Sequence, residues 1–195
     1  MSSSYAGPLR EEPLSIELHN TLYAVAGTVV DGLADRASAE AWLEGLAERL
    51  PGAGDRSTRW PVPDELVALR EAVRAALQAA VDGAAHDVAT LEAINQSSAR
   101  APTSPSAAWQ LDADPVAATN YHGACRADIV ISALAADAID LLTGPRRRDL
   151  RVCGAPGCVL MFLKDHPRRG WCSSACGNRA RQARHYRRAR RQRPS

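Results

Sequence analysis

"CGAPGCVLMFLKDHPRRGWCSSACGNR", residues 153–179, holds four of the chain's five cysteines within 24 positions. They fall as two close pairs: Cys153 and Cys158 with four residues between them, then thirteen residues, then Cys172 and Cys176 with three between them. A tetrahedral structural zinc needs such an arrangement, because each pair supplies two thiolates from one local turn and the spacer folds back to join the pairs. Gly154, Pro156 and Gly157 suit a tight turn inside the first pair. Disulfides are the competing use of such cysteines, but a reducing compartment disfavours them, and iron–sulfur clusters use tighter three-cysteine spacing. His166 and His185 could each replace a ligand, but four cysteines already close the site. A closed site has no open position for substrate, so one zinc ion held by Cys153, Cys158, Cys172 and Cys176 is expected to be structural.

Working outward, "DLRV" at 149–152 and "VLMFL" at 159–163 are expected to pair as strands on either side of the first knuckle. The second cysteine pair stands at i, i+4, which on a helix projects both sulfurs from one face. The result is a strand–knuckle–strand–helix finger of treble-clef or zinc-ribbon character. With under fifty residues and few large apolar groups it cannot fold on packing alone. Zinc binding, worth about 10–16 kcal/mol in zinc-finger peptides, would make up the deficit.

Beyond Cys176 the chain has good helix formers and no proline until Pro194. Ala180, Ala183 and Tyr186 give a thin apolar stripe, and the remainder is dominated by arginine. Asn178, Arg179, Arg181, Arg184, His185, Arg187, Arg188 and Arg191 are the candidate nucleic-acid contacts: the guanidinium groups for phosphate, with Asn178, Arg179, Arg181, His185 and also Tyr186 as candidates for base edges. Asn178 could equally brace the finger. Trp171 reads as packing over the knuckle, and Arg168 and Arg169 as either phosphate contacts or solvated loop residues.

The net charge of +2 conceals a division. Residues 1–145 carry 9 Arg against 20 Asp and Glu, a balance of −11, whereas residues 146–195 carry 14 Arg and one Lys against two Asp, a balance of +13. A basic end on an acidic body is the electrostatic footprint of nucleic-acid binding. "MSSSYAGPLREEP" has no apolar signal core, and the most apolar run, 129–142, is short and interrupted by Asp137 and Asp140. A cytoplasmic, nucleoid-associated protein with no membrane contact is therefore expected.

Residues 1–145 are expected to form a mostly helical domain, with the boundary near 146 after Thr143-Gly144-Pro145. The alternation of Leu14, Ile16 and Leu18 predicts a short strand, and Leu22, Val25, Ala26, Val29, Val30 and Leu33 follow helical spacing. Ser38 is the expected cap of a helix that buries Leu43, Leu46, Ala47 and Leu50 and ends at Pro51–Gly54. Asp64 is the expected cap of the clearest helix, whose stripe is Leu66, Leu69, Val73, Leu77 and Val81, with Gly83 past its end. A further helix runs through Val88, Leu91 and Ile94 to about Asn95. "AWQLDAD" at 108–114 reads as one strand of a small hairpin. A long buried helix is predicted from Thr119 to Leu142, with Cys125 as a core thiol. The fold class is thus mainly α with a small β component: a helical N-terminal domain, then the finger and its basic helix.

The finger stretch, with Cys176-Gly177-Asn178-Arg179 at its centre, resembles the CGNR zinc-finger family. "IELHNT", "LREAVRAAL", "LEAINQ" and "AADAIDLLTG" resemble the ABATE domain usually fused to it, described as a stress-induced transcription regulator. Two features depart from the family pattern. Many relatives have four residues between the last two cysteines, and "LKDHPRRG" differs from the Asp-x-Ser-x-x-x-x-Arg sequence common in that loop. The resemblance implies a DNA-binding bacterial regulator. In that setting the N-terminal domain would sense a small-molecule effector or form a homodimer. Asn20, in the cluster His19-Asn20-Thr21, is the candidate pocket residue, with a turn-stabilising role as its alternative. RNA binding, or docking of the basic helix on an acidic protein, would suit the same charge pattern. No HExxH, P-loop, GxSxG or deaminase motif is present, so an enzyme is not expected.

Overall fold

The computed structural model describes residues 7–51, 59–111 and 113–191, except for the side chains of 189–191. Six helices and three separate two-stranded antiparallel sheets occur among these residues.

The first element is a helix, α1 (Leu14–His19), where alternation suggested a strand. Alternation misleads here because the positions between the apolar ones are buried too: Ser15, Glu17 and His19 are covered as fully as Ile16 and Leu18. Each polar side chain has an interior partner. The Ser15 hydroxyl and amide donate to Asp137 at 2.6 and 2.8 Å, Glu17 accepts from the amides of Arg10 and Glu12, both at 2.9 Å, and the His19 ring meets the Asn20 side chain at 3.2 Å.

The next run is a hairpin instead of a helix: β1 (Leu22–Val25) pairs with β2 (Thr28–Asp31), Val25 opposite Thr28. The two-residue turn between them puts Ala26 at φ 51° and Gly27 at φ 87°. Two positive φ values in a row are what a primed hairpin turn requires, and the β-branched Val25, Thr28, Val29 and Val30 favour strands. Ala26 in place of Asn or Asp conceals the turn signal. Arg70 holds the hairpin down: its guanidinium grips both oxygens of Asp31 at 2.5 and 2.9 Å. Burial opposes ionisation of Asp31, but the Arg70 contact outweighs it and keeps the carboxyl below its usual range.

Helix α2 (Arg36–Gly45) is capped by Asp35, not Ser38; Ser38 contributes the amide that donates to Asp35 at 2.8 Å. Of the expected terminator Pro51–Gly54, residues 52–54 lie outside the described residues. Helix α3 (Pro63–Asp82) begins one residue before the expected cap, with Pro63 at its first position and Glu65 accepting from the Val62 amide. Gly83 ends it at φ 66°. Helix α4 (Val88–Ser98) buries Ile94 alone. A second hairpin follows, β3 (Ser104–Ala108) with β4 (Val116–Asn120), so the strand lies just before the expected 108–114 segment.

Helix α5 (Arg126–Thr143) starts after the hairpin, seven residues later than the apolar pattern suggested. Cys125 is its N-cap residue and is exposed, with its thiol donating to Asp128 at 3.1 Å; it is not a core thiol. Val130, Leu134, Ala138 and Leu141 form the buried side of α5. They meet Leu66, Leu69, Val73 and Leu77 of α3 and Ile16 and Leu18 of α1 in the main core.

A 3-10 turn, Pro145–Asp149, leads into β5 (Leu150–Val152), which pairs with β6 (Met161–Leu163) as the sequence predicted. The period of two in β6 places its side chains on two cores. Met161 and Leu163, with Leu150, complete the main core, while Phe162 joins a smaller cluster around the cysteines. Helix α6 (Ser174–Arg191) closes the chain.

One pH prediction arises from the α1 interior. Burial, reinforced by the charge of Arg74, lowers the pKa of His19 from 6.5 to about 4. Between those values the unfolded chain binds the proton and the folded one does not, so stability falls as pH drops through that window. The shift corresponds to about 3 kcal/mol. Buried Glu17 is shifted upward, which acts in the opposite sense. The difference between the pH–stability curves of the wild type and His19→Asn isolates the histidine, and superimposable curves would remove it as the cause.

Candidate metal centre and basic helix

The four sulfurs of Cys153, Cys158, Cys172 and Cys176 lie within 4.8 Å of one another. Three of the separations are 3.8 Å (Cys158–Cys172), 3.5 Å (Cys172–Cys176) and 3.8 Å (Cys176–Cys158). A tetrahedron with Zn–S bonds of about 2.3 Å has edges of about 3.8 Å, so the donor set fits one ion in size and in chemistry.

Backbone geometry builds the cage. Gly157, at φ 69°, turns the first knuckle, and the Cys158 amide donates to the Ala155 carbonyl at 3.0 Å. The amides of Ala155 and Cys172 point to the Cys153 sulfur, and that of Leu160 to the Cys158 sulfur. Cys172 precedes α6 and does not sit in it; Cys176 occupies the first turn. The i, i+4 pair therefore converges through a bend before the helix. Arg179 donates to the Cys176 sulfur at 3.2 Å, placing a positive charge against the thiolate cluster.

The thiols oppose one another in the absence of a cation. The hydrogen bond from Cys172 pulls Cys158 down to about 5, and the same contact together with burial pushes Cys172 far up; burial raises Cys153. A divalent ion reverses this by stabilising every thiolate at once. The ion is a structural one, because all four positions of a tetrahedral shell come from the protein.

The cluster sits on the N-terminal body. Tyr23 of β1 packs with the cysteines, Leu160, Phe162 and Ala180, and Val30 of β2 flanks them. Glu12, 3% exposed, accepts from the Leu163 amide at 3.0 Å and forms an ion pair with Arg169. Arg169 also lies 5.0 Å over the Phe162 ring. It is thus an anchor between the finger loop and the body, while Arg168 is exposed. Asn20, 0% exposed, clamps β6: its Nδ2 donates to the Met161 carbonyl at 3.0 Å and its Oδ1 accepts from the Met161 amide at 2.9 Å. No sequence signal marks Glu12, Tyr23 or Arg169 for these roles, since each depends on contacts across more than a hundred residues.

On α6, Cys176 and Ala180 face inward and Ala183 is half-buried, whereas Tyr186 is 72% exposed and leaves the expected apolar stripe. Trp171 leans on Gly177, where an added Cβ would meet its ring at 3.2 Å, in keeping with a packing role. Arg181, Arg184, His185 and Arg188 line one concave surface of about 220 Å³. Asn178 is exposed beside it and accepts from Arg181. Arg187 folds back onto the Ala183 carbonyl at 3.4 Å, and the side chain of Arg191 lies outside the described residues.

A family model for ABATE, whose description reads "Putative stress-induced transcription regulator", matches residues 12–145, and one for the CGNR zinc finger matches residues 149–189. The chain belongs to the ABATE family and carries a CGNR zinc finger. No curated protein matches it. A CGNR zinc finger takes a zinc ion, and in this ABATE–CGNR chain Cys153, Cys158, Cys172 and Cys176 stand close enough together to hold one. No helix among the described residues is long and apolar enough to cross a membrane.

Proposed function

We propose that this ABATE–CGNR protein is a DNA-binding transcription regulator in which the zinc-fixed finger presents α6 to the duplex. The observation that carries this reading is a continuous basic face of α6. Arg181, Arg184, His185 and Arg188 stand at i, i+3, i+4 and i+7, one side of a helix, and turn away from buried Cys176 and Ala180. Zinc supplies the fixed entry of that helix and no catalytic step. Phosphate contacts from such a face supply affinity, and base-edge contacts from Asn178, Arg181 and His185 would supply sequence preference.

The N-terminal body is the natural place for regulation. A groove of about 430 Å³ between α3, α4 and α5, with Leu69, Ala93 and Ile131 as its apolar wall and Glu65, Gln96 and Arg100 at its rim, has the size of a small-molecule site.

The test is binding of duplex DNA across a salt series. The double variant Arg181→Ala, Arg184→Ala is expected to bind more weakly on every sequence and to lower the slope of log affinity against log salt by about 2. An unchanged slope would take both residues out of the phosphate set. Competition with structured RNA separates the nearest alternative, because tenfold tighter RNA binding would replace DNA as the target.

A further inference from the structure

The β3–β4 ribbon is incomplete as it stands. Neither face is buried: nearly every residue of both strands is exposed, and no other described element packs extensively on it. A lone two-stranded hairpin is marginal in water, and one with two wet faces gains little from its own side chains. Yet its base is carefully fixed. The Ser104 hydroxyl meets the His122 ring at 2.9 Å, the His122 amide donates to Asn120 at 2.7 Å, and His122 and Gly123 turn the chain at φ 51° and 78°.

We infer that β4 is a self-association edge, which pairs antiparallel with β4 of a second copy about a two-fold axis at Ala118 to form a four-stranded sheet.

Three observations favour a second copy over another occupant. The first is the contrast between the two edges of the ribbon. β3 carries Pro105 inside the strand, where it lacks an amide donor, whereas within β4 (Val116-Ala-Ala-Thr-Asn120) there is no proline and no charge, the usual means of blunting an edge, Asp114 and Pro115 standing just before it. One open edge and one blocked edge give a closed dimer and not a fibre. The second is that both strands, 104–108 and 116–120, are free of charged residues on a body that carries −11 over 1–145. Like-charge repulsion is therefore weakest at this point. The third is the register. Pairing about Ala118 sets Val116 opposite Asn120 and Ala117 opposite Thr119 of the second copy, so that uncharged side chains face one another along the whole of β4. It also carries each tip, with Trp109 at 70% and Leu111 at 94% exposure, alongside the base of the other ribbon.

The experiment is sedimentation of the full-length, zinc-loaded protein at micromolar concentrations. The wild type is expected at twice the chain mass of 20.9 kDa, and Ala118→Lys, which sets two like charges face to face at the axis, at once that mass with an unchanged circular dichroism spectrum. Ala118→Cys in a Cys125→Ser background gives a second readout independent of any loss of fold. Directly opposed residues in such a pair lie within disulfide reach, so mild oxidation should produce a covalent dimer. A wild type that sediments as a monomer, an Ala118→Lys protein that remains dimeric, or an Ala118→Cys protein that stays uncrosslinked would each overturn the assignment. None of these outcomes depends on whether α6 binds DNA.

Discussion

Cys172→Ser is expected to abolish zinc binding and to lower the melting temperature of the whole chain, not of the finger alone. Cys172 is 4% exposed and its sulfur lies 3.8 and 3.5 Å from those of Cys158 and Cys176, so no water or hydroxyl replacement can restore a four-thiolate shell. Loss of the ion removes the term that holds residues 149–189 together, about 10–16 kcal/mol in isolated fingers. The consequence spreads because β5 and β6 belong to two cores. Leu150, Met161 and Leu163 fill the main core beside α1 and α3. Withdrawing three such side chains costs about 5 kcal/mol or more at 1.5–3 kcal/mol each. Zinc content by elemental analysis and thermal unfolding by circular dichroism report the two effects separately. A variant that keeps one zinc per chain would refute the four-cysteine assignment. A zinc-free variant whose N-terminal body melts as before would refute the shared core.

How far the sequence foretold this arrangement varied with the range of the interactions involved. The finger was legible because its determinants are local and few: two cysteine pairs, a glycine-rich knuckle and a basic run. The convergence of the four cysteines follows from their spacing, and the β5–β6 pairing from the apolar stretches on either side of the first pair. α3 was legible for a related reason, since its stripe is long and periodic. The failures lie where a side chain's partner is distant. Ser15, Glu17 and His19 look solvent-facing in sequence, and distant or turn-formed partners make them interior: Asp137, Arg49, the amides of Arg10 and Glu12, and the Asn20 side chain. That hidden polar interior turned an apparent strand into α1. The β1–β2 turn uses Ala26 where the turn chemistry favours Asn or Asp, so no turn signal interrupts the helical spacing of the flanking valines. Cys125 shows the limit of apolar runs: the residues after it are buried by α3 and α4, but it stands at the exposed helix start.

Asn20→Ala is expected to destabilise the protein by about 2–6 kcal/mol, a large effect for a side chain with no charge. The amide of Asn20 serves the two backbone groups of one residue, Met161, at 2.9 and 3.0 Å, and it is wholly buried where it does so. Truncation leaves an N–H and a C=O of β6 without partners inside the protein, each costing about 1–3 kcal/mol. β6 sends Met161 into the main core and Phe162 into the cysteine cluster, so the same change loosens the finger against α1. Hydrogen exchange at the Met161 amide should accelerate along with the fall in melting temperature. Asn178→Ala supplies the comparison: Asn178 is exposed on α6, and its removal is expected to change stability by no more than about 0.5 kcal/mol. If the two substitutions proved equally mild, Asn20 would not be the clamp that its geometry describes. If Asn20→Ala alone were severe while zinc stayed bound, the join between the ABATE body and the finger would be an energetic unit in its own right, separable from the metal. α6 would then owe its position to two independent supports, the ion at its first turn and the asparagine behind β6.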